Sequence, residues 1–246
     1  MTQRAAKNRI SRRIGSFAGD RRTIFALLLL ALALAGWSWL EENPQHNPWA
    51  PLDLRDPIGI ATANKLLALK EDVPLCRDTL SRSDVSFQTL PVTGSGACEL
   101  ADRTQLQSYP LAPDTPATTC PVAAALELWR AKTIQPAARR VFDAELVSIQ
   151  HLGAFSCRRL YGRDEGAWSE HATANAIDIA GFTLSDGTEI NVLRDWNGDA
   201  QKAEFLREVR DGACGVFATV LSPDYNSAHR DHFHFDQQDR WSGVCR

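Results

Sequence analysis

The stretch Ser169-Glu170-His171-Ala172-Thr173-Ala174-Asn175-Ala176-Ile177-Asp178-Ile179-Ala180-Gly181-Phe182 sets a carboxylate and an imidazole into an apolar alternation. Alternate residues of a strand share a face, so Asp178 points away from Ile177 and Ile179, on the side of the small Ala176 and Ala180. A second stretch, His229-Arg230-Asp231-His232-Phe233-His234-Phe235-Asp236, repeats the pattern. His232 and His234 share one face, Phe233 and Phe235 the other. The isoleucines and phenylalanines belong to a core, which leaves the polar groups together on the opposite side. As neighbouring strands, the two segments bring Asp178 to His234 across the ladder. His171 then closes the triangle from the loop before the first strand. Two imidazoles and one carboxylate suit Zn²⁺, and three protein ligands leave a fourth position open, the mark of a catalytic site. The expected ligands are therefore His171, Asp178 and His234. His232, on the face of His234, is placed to act as a base or to stabilise an oxyanion, and His229 to support the site or touch substrate.

Around these segments, a helix is expected from Pro121, with Thr119 as cap and Val122, Leu126 and Trp129 on one apolar face. Strands are expected at 145–151 and 175–182, with a turn at Asp186-Gly187 and a return strand near 188–193. A helix from Asp199 to Asp211, capped by Asp199 and ended by Gly212, precedes strands at 215–221 and 231–236. The class is α+β: a small antiparallel sheet carrying a zinc site, flanked by helices, stapled by disulfides, with an N-terminal transmembrane helix.

The charge is asymmetric. Residues 1–22 hold seven of the 27 basic residues and one acid, Asp20; the rest of the chain keeps 20 basic against 29 acidic residues. An acidic body argues against a nucleic-acid partner, because phosphate binding needs clustered Lys and Arg. Residues 23–40 carry no charge and end near Trp37-Ser38-Trp39. They read as an anchor with basic residues inside and tryptophans at the far interface. A secretory signal with a small-residue site at Ala33-Leu34-Ala35 is the competing reading. Either exports the chain beyond residue 40. The division is a basic cytoplasmic segment (1–22), a transmembrane anchor or uncleaved signal (23–40), a proline-rich linker (41–58) and one domain (59–246). All six cysteines lie beyond the apolar run without a CxxC spacing, as in an oxidising compartment. Order along the chain gives Cys76–Cys98, Cys120–Cys157 and Cys214–Cys245.

The segments CPVAAALELW, HLGAFSCR, SEHATANAIDIAGF, VLRDW, FLREVRDGACGVF and PDYNSAHRDHFHFD resemble the bacterial extensin-like C-terminal domain family, over roughly residues 50–246. That family in turn resembles the zinc peptidases that include lysostaphin-type enzymes, D-alanyl-D-alanine carboxypeptidases and penicillin-insensitive murein endopeptidase. The resemblance implies the same ligands, His171, Asp178 and His234. The HxxHxH spacing matches the murein endopeptidase branch and makes His229 and His232 catalytic-site candidates. Asp231 stands where the D-alanyl-D-alanine branch has a glutamate base. The resemblance also implies a substrate-facing arginine, best matched by Arg158; as a plain surface residue, it would sit beside a disulfide. Ser169 is expected to orient the His171 loop. The implied activity is a zinc metallopeptidase cutting a peptidoglycan stem or crosslink amide in the periplasm, as a single-pass inner-membrane protein. The alternative is a zinc-stabilised domain that binds peptidoglycan without cutting it.

Overall fold

The computed structural model describes residues 18–239 and 243–246; Arg4, Lys7, Arg9, Arg12 and Arg13 of the basic segment lie outside them. Helix α1 (Ala18–Glu42) is solvent-facing along its apolar length. Gly19–Glu42 is long and apolar enough to cross a membrane, a property shared by membrane spans and signal sequences. Two short helices follow, α2 (Thr62–Ala68) and α3 (Val73–Arg82). A two-stranded antiparallel sheet joins β1 (Phe87–Thr89) and β2 (Thr104–Leu106).

The main sheet is larger than the sequence pattern predicts, and it is mixed. It contains β3 (Leu111–Ala112), β4 (Leu146–Gly153), β5 (Ala176–Leu184), β6 (Glu189–Asn191), β7 (Thr219–Leu221), β8 (Phe233–Asp236) and β9 (Val244–Cys245). The order is β3-β4-β5-β8-β7-β9, with β6 also on β5. The pairs β3–β4 and β7–β9 are parallel and the rest antiparallel. The parallel rim strands leave no trace in the pattern because two residues carry no alternation to read.

One face of the sheet is covered by helices. α4 (Cys120–Trp129) continues through a π-helical turn (Arg130–Ile134) into α5 (Gln135–Phe142). α7 (Ala200–Ala213) packs beside them, after the single turn α6 (Val192–Asp195). Trp129 is the hub: its fully buried ring meets Phe182, Phe217 and Phe235 edge-on, and its Nε1 donates to the Val209 carbonyl at 2.7 Å. The expected cap Thr119 has the cap position but not the cap bond. Its hydroxyl donates to Asn175 Oδ1, and the Asp102 carboxylate accepts from the Cys120 N–H instead. Gly212 does not end its helix either. It lies inside α7, where a Cβ would stand 2.2 Å from Thr133 Cγ2, so its role is close helix approach. Asp199 does cap α7, accepting from Lys202 N at 3.0 Å.

Ile177 and Ile179 face the helices, and so do Phe182 and Leu184, although simple alternation would put the two pairs on opposite faces. An extra residue in β5, between the partners of Gln150 and His151, resets the phase. A bulge of this kind lets one strand feed the core twice while turning Asp178 outward.

The disulfides are Cys76–Cys120, Cys98–Cys157 and Cys214–Cys245. The expected Cys76–Cys98 and Cys120–Cys157 are corrected, and Cys214–Cys245 stands. Packing of α3 on α4 brings Cys76 to Cys120, a long-range contact that chain order does not reveal. The segment read as a linker contributes to the core: Leu52 and Leu54 are buried, and Leu54 N donates to Ser83 Oγ at 3.0 Å.

Candidate metal centre

The expected strand pairing is present. Asp178 and His234 are direct partners in the β5–β8 ladder, between the core pairs Ile177–Phe235 and Ile179–Phe233. His171 reaches them from a 3₁₀ turn, Glu170–Thr173, which Ser169 caps by accepting from His171 N at 3.3 Å. The turn is tied to the loop after β4, where Ser156 N donates to the His171 carbonyl.

Three atoms converge. His171 Nε2, Asp178 Oδ1 and His234 Nδ1 form a triangle with edges of 3.2, 3.1 and 3.0 Å. Second contacts settle which nitrogens are free. His171 Nδ1–H donates to the Ala154 carbonyl at 3.0 Å, and His234 Nε2–H donates to Asp236 Oδ2 at 3.0 Å. Both partners can only accept, so the opposite ring nitrogens direct lone pairs at one point. Two lone pairs and a carboxylate oxygen need a positive centre between them, a proton on His234 Nδ1 or a metal cation. A tetrahedral divalent ion with bonds near 2.1 Å sets its ligand atoms about 3.4 Å apart, within a few tenths of an ångström of these edges. The donor set therefore fits zinc, and these residues could hold a metal ion.

The electrostatics agree. Burial pushes Asp178 up, but hydrogen bonds from His171 and His234 hold it well below the usual carboxylate range. Burial pulls His234 down, but Asp178 and Asp236 outweigh it and raise the imidazole to about 9. Burial, then the neighbouring His234 and His232, push His229 down to about 4.

His232, His229 and Arg158 line the same cleft as His171, Asp178 and His234, of about 210 Å³. His232 lies just before β8, not in it. Its Nδ1–H donates to Asp231 Oδ1 at 2.9 Å, which turns Nε2 to within 3.6 Å of Asp178 Oδ1. Asp231 is thus an orienting partner for His232, not a group aimed at the triad. His229 sits in a 3₁₀ turn, Ser227–His229, its Nδ1–H donating to Asn226 Oδ1 at 2.8 Å and its ring 5.9 Å from that of His234. Arg158 lines the cleft from the loop beside Cys157, and not from a strand. Leu160, Tyr161, Trp168 and Tyr225 are also among the residues that line it. Asp236 joins the site without having been expected there. Its signal was present, since it stands two residues beyond His234 and so on the same face of β8.

A mixed sheet with one face under helices and a His-His-Asp cleft on the other defines an α+β domain, and the three cleft residues could hold a metal ion. The chain belongs to the extensin-like family: the model of the extensin-like protein C-terminus matches residues 74–246. No curated protein and no solved structure matches the chain.

Proposed function

We propose that the chain is a zinc-dependent peptidase that hydrolyses a peptide-stem or crosslink amide of peptidoglycan, on the periplasmic side of the inner membrane. The observation that carries this reading is the convergence of His171 Nε2, Asp178 Oδ1 and His234 Nδ1 on one point in the cleft. Zinc held there would supply a Lewis acid and a bound water of lowered pKa. The substrate class rests on the likeness of the family to murein peptidases. The export reading rests on the apolar helix and three disulfides.

The protein groups divide the remaining work. His232, its Nδ1–H donated to Asp231, turns Nε2 toward the triad, where it would take up a proton from the attacking water. His229, kept neutral by burial, presents its own Nε2 to the cleft. Arg158 supplies a permanent positive charge for a substrate carboxylate.

Mass spectrometry of muropeptides after digestion of purified murein tests the reading. His232→Ala is expected to retain stoichiometric metal while losing about 10²–10⁴-fold in rate, the usual worth of a positioned acid–base group. An unchanged product profile with and without wild-type protein, despite bound metal, would leave a non-catalytic peptidoglycan-binding domain.

The proposed ligand set makes two more outcomes measurable. Asp236→Asn weakens the partner that fixes the His234 tautomer, and is expected to lower zinc affinity about 10–100-fold in a chelator competition. Zinc must also displace the His234 proton. That proton is held up to about pH 9, so affinity is expected to fall about tenfold for each pH unit below this value and to level off above it. Affinity that does not change between pH 7 and pH 9 would contradict the assignment of His234 Nδ1 as a ligand.

A further inference from the structure

We infer that residues 43–65 form a clasp that seats the domain on the lipid surface, with Trp49 and Ile60 as its contacts. The inference rests on the proposal that α1 spans the membrane, and it adds a second contact with the bilayer.

A chain of contacts leads from the helix to the domain. Trp39, in the last turns of α1, stacks on His46 with ring centroids 5.3 Å apart and planes 16° from parallel. His46 Nδ1 accepts the N–H of Ile60 at 3.2 Å. Ala61 N donates to the Gln45 carbonyl at 3.2 Å, and Lys65 Nζ to the Pro44 carbonyl at 2.7 Å. The two segments approach so closely at Gly59 that a Cβ there would meet the Gln45 carbonyl oxygen at 2.3 Å. A proline-rich segment that would otherwise swing freely is thereby bonded to the start of α2.

This clasp fixes depth. Tryptophans at the end of a spanning helix lie at the headgroup level. With Trp39 there, His46 stacked on it and Ile60 bonded to His46 lie within reach of the same layer. Two apolar side chains of this segment are widely exposed, Trp49 at 76% and Ile60 at 84%, beside the exposed Glu41 and Glu42 that end α1; the Trp49 N–H donates to Asn47 Oδ1 at 3.0 Å. An indole and a branched alkyl chain offered to water beside a bilayer match the headgroup–acyl boundary, where amphipathic rings and apolar side chains partition. The occupant is the outer face of the membrane that α1 crosses, not a protein partner.

The test uses the full chain in lipid nanodiscs, with a nitroxide on a cysteine introduced singly by Leu30→Cys, Trp49→Cys, Ile60→Cys or Val92→Cys. Collision with oxygen against collision with a water-soluble nickel chelate reports depth. Positions 49 and 60 are expected to show a ratio several-fold above that at 92, which is exposed and away from the clasp, and below that at 30. His46→Ala should bring 49 and 60 toward the value at 92 and leave 30 unchanged. If 30 lies in the bilayer while 49 and 60 match 92, the seating is wrong and the anchor survives. If 30 is also in water, the anchor reading fails and the clasp with it.

Discussion

His234→Ala is expected to abolish stoichiometric zinc binding and to lower murein hydrolysis by at least about 10³-fold. The reasoning is local. His234 supplies one of the three converging atoms proposed as ligands, and its ring is partly buried on the outward face of β8, away from the Trp129 cluster. Removing it leaves one imidazole and one carboxylate, too few for a tetrahedral site with an open position. The Lewis acid that such a site supplies is worth several kcal/mol of barrier, hence the size of the expected loss. Elemental analysis and muropeptide mass spectrometry on the same preparations read the two effects together. Full activity with no bound metal in the variant would remove the metallopeptidase proposal, whatever the fold.

The largest expected effect on stability is on the other face. Trp129→Ala should cost about 3–5 kcal/mol, as large aromatic truncations in well-packed cores do. For a domain of this size that corresponds to a melting temperature lower by about 6–20 °C. Trp129 joins the helices to the sheet: one ring touches Phe182 on β5, Phe235 on β8 and Phe217 ahead of β7, and its Nε1 is bonded to α7. Trp129→Phe keeps a ring there but loses the Nε1 bond to the Val209 carbonyl and part of the ring volume, and should cost about 1–3 kcal/mol. A melt of Trp129→Ala within a degree or two of wild type would mean that the helical layer is not held to the sheet in this way.

Much of the site was legible because period-2 patterning is a local signal. Asp178 between Ile177 and Ile179, and His234 between Phe233 and Phe235, announce both the core face and the polar face of two strands. The apolar pairs then force the register that joins carboxylate to imidazole. Ser169 as the support of the His171 turn was legible for the same reason, since capping acts over two or three residues. What stayed hidden depends on distant packing. The partner of Cys76 is set by how α3 lies on α4, and the partner of Cys98 by where the loop after β4 runs. The parallel pairings of β3 and β9 join segments far apart in the chain with two residues each. The bulge in β5 keeps Phe182 and Leu184 in the core only by breaking the alternation that identified the strand. Gly212 reads as a helix stop but is a point of close approach, visible only once Thr133 is placed against it.

The two-residue rim strands have a consequence beyond the single molecule. A long bare strand at the edge of a sheet is a template on which another chain can polymerise. Here one outer rim is Leu111–Ala112, and the other is Val244–Cys245, sewn to the end of α7 through Cys214. Copies confined to a membrane meet far more often than copies free in three dimensions. In copies that share a bilayer, as proposed, the two end strands give an encounter only two residues each to extend, and the longer edges left are β4 on either side of Ile149–Gln150 and the three-residue β6.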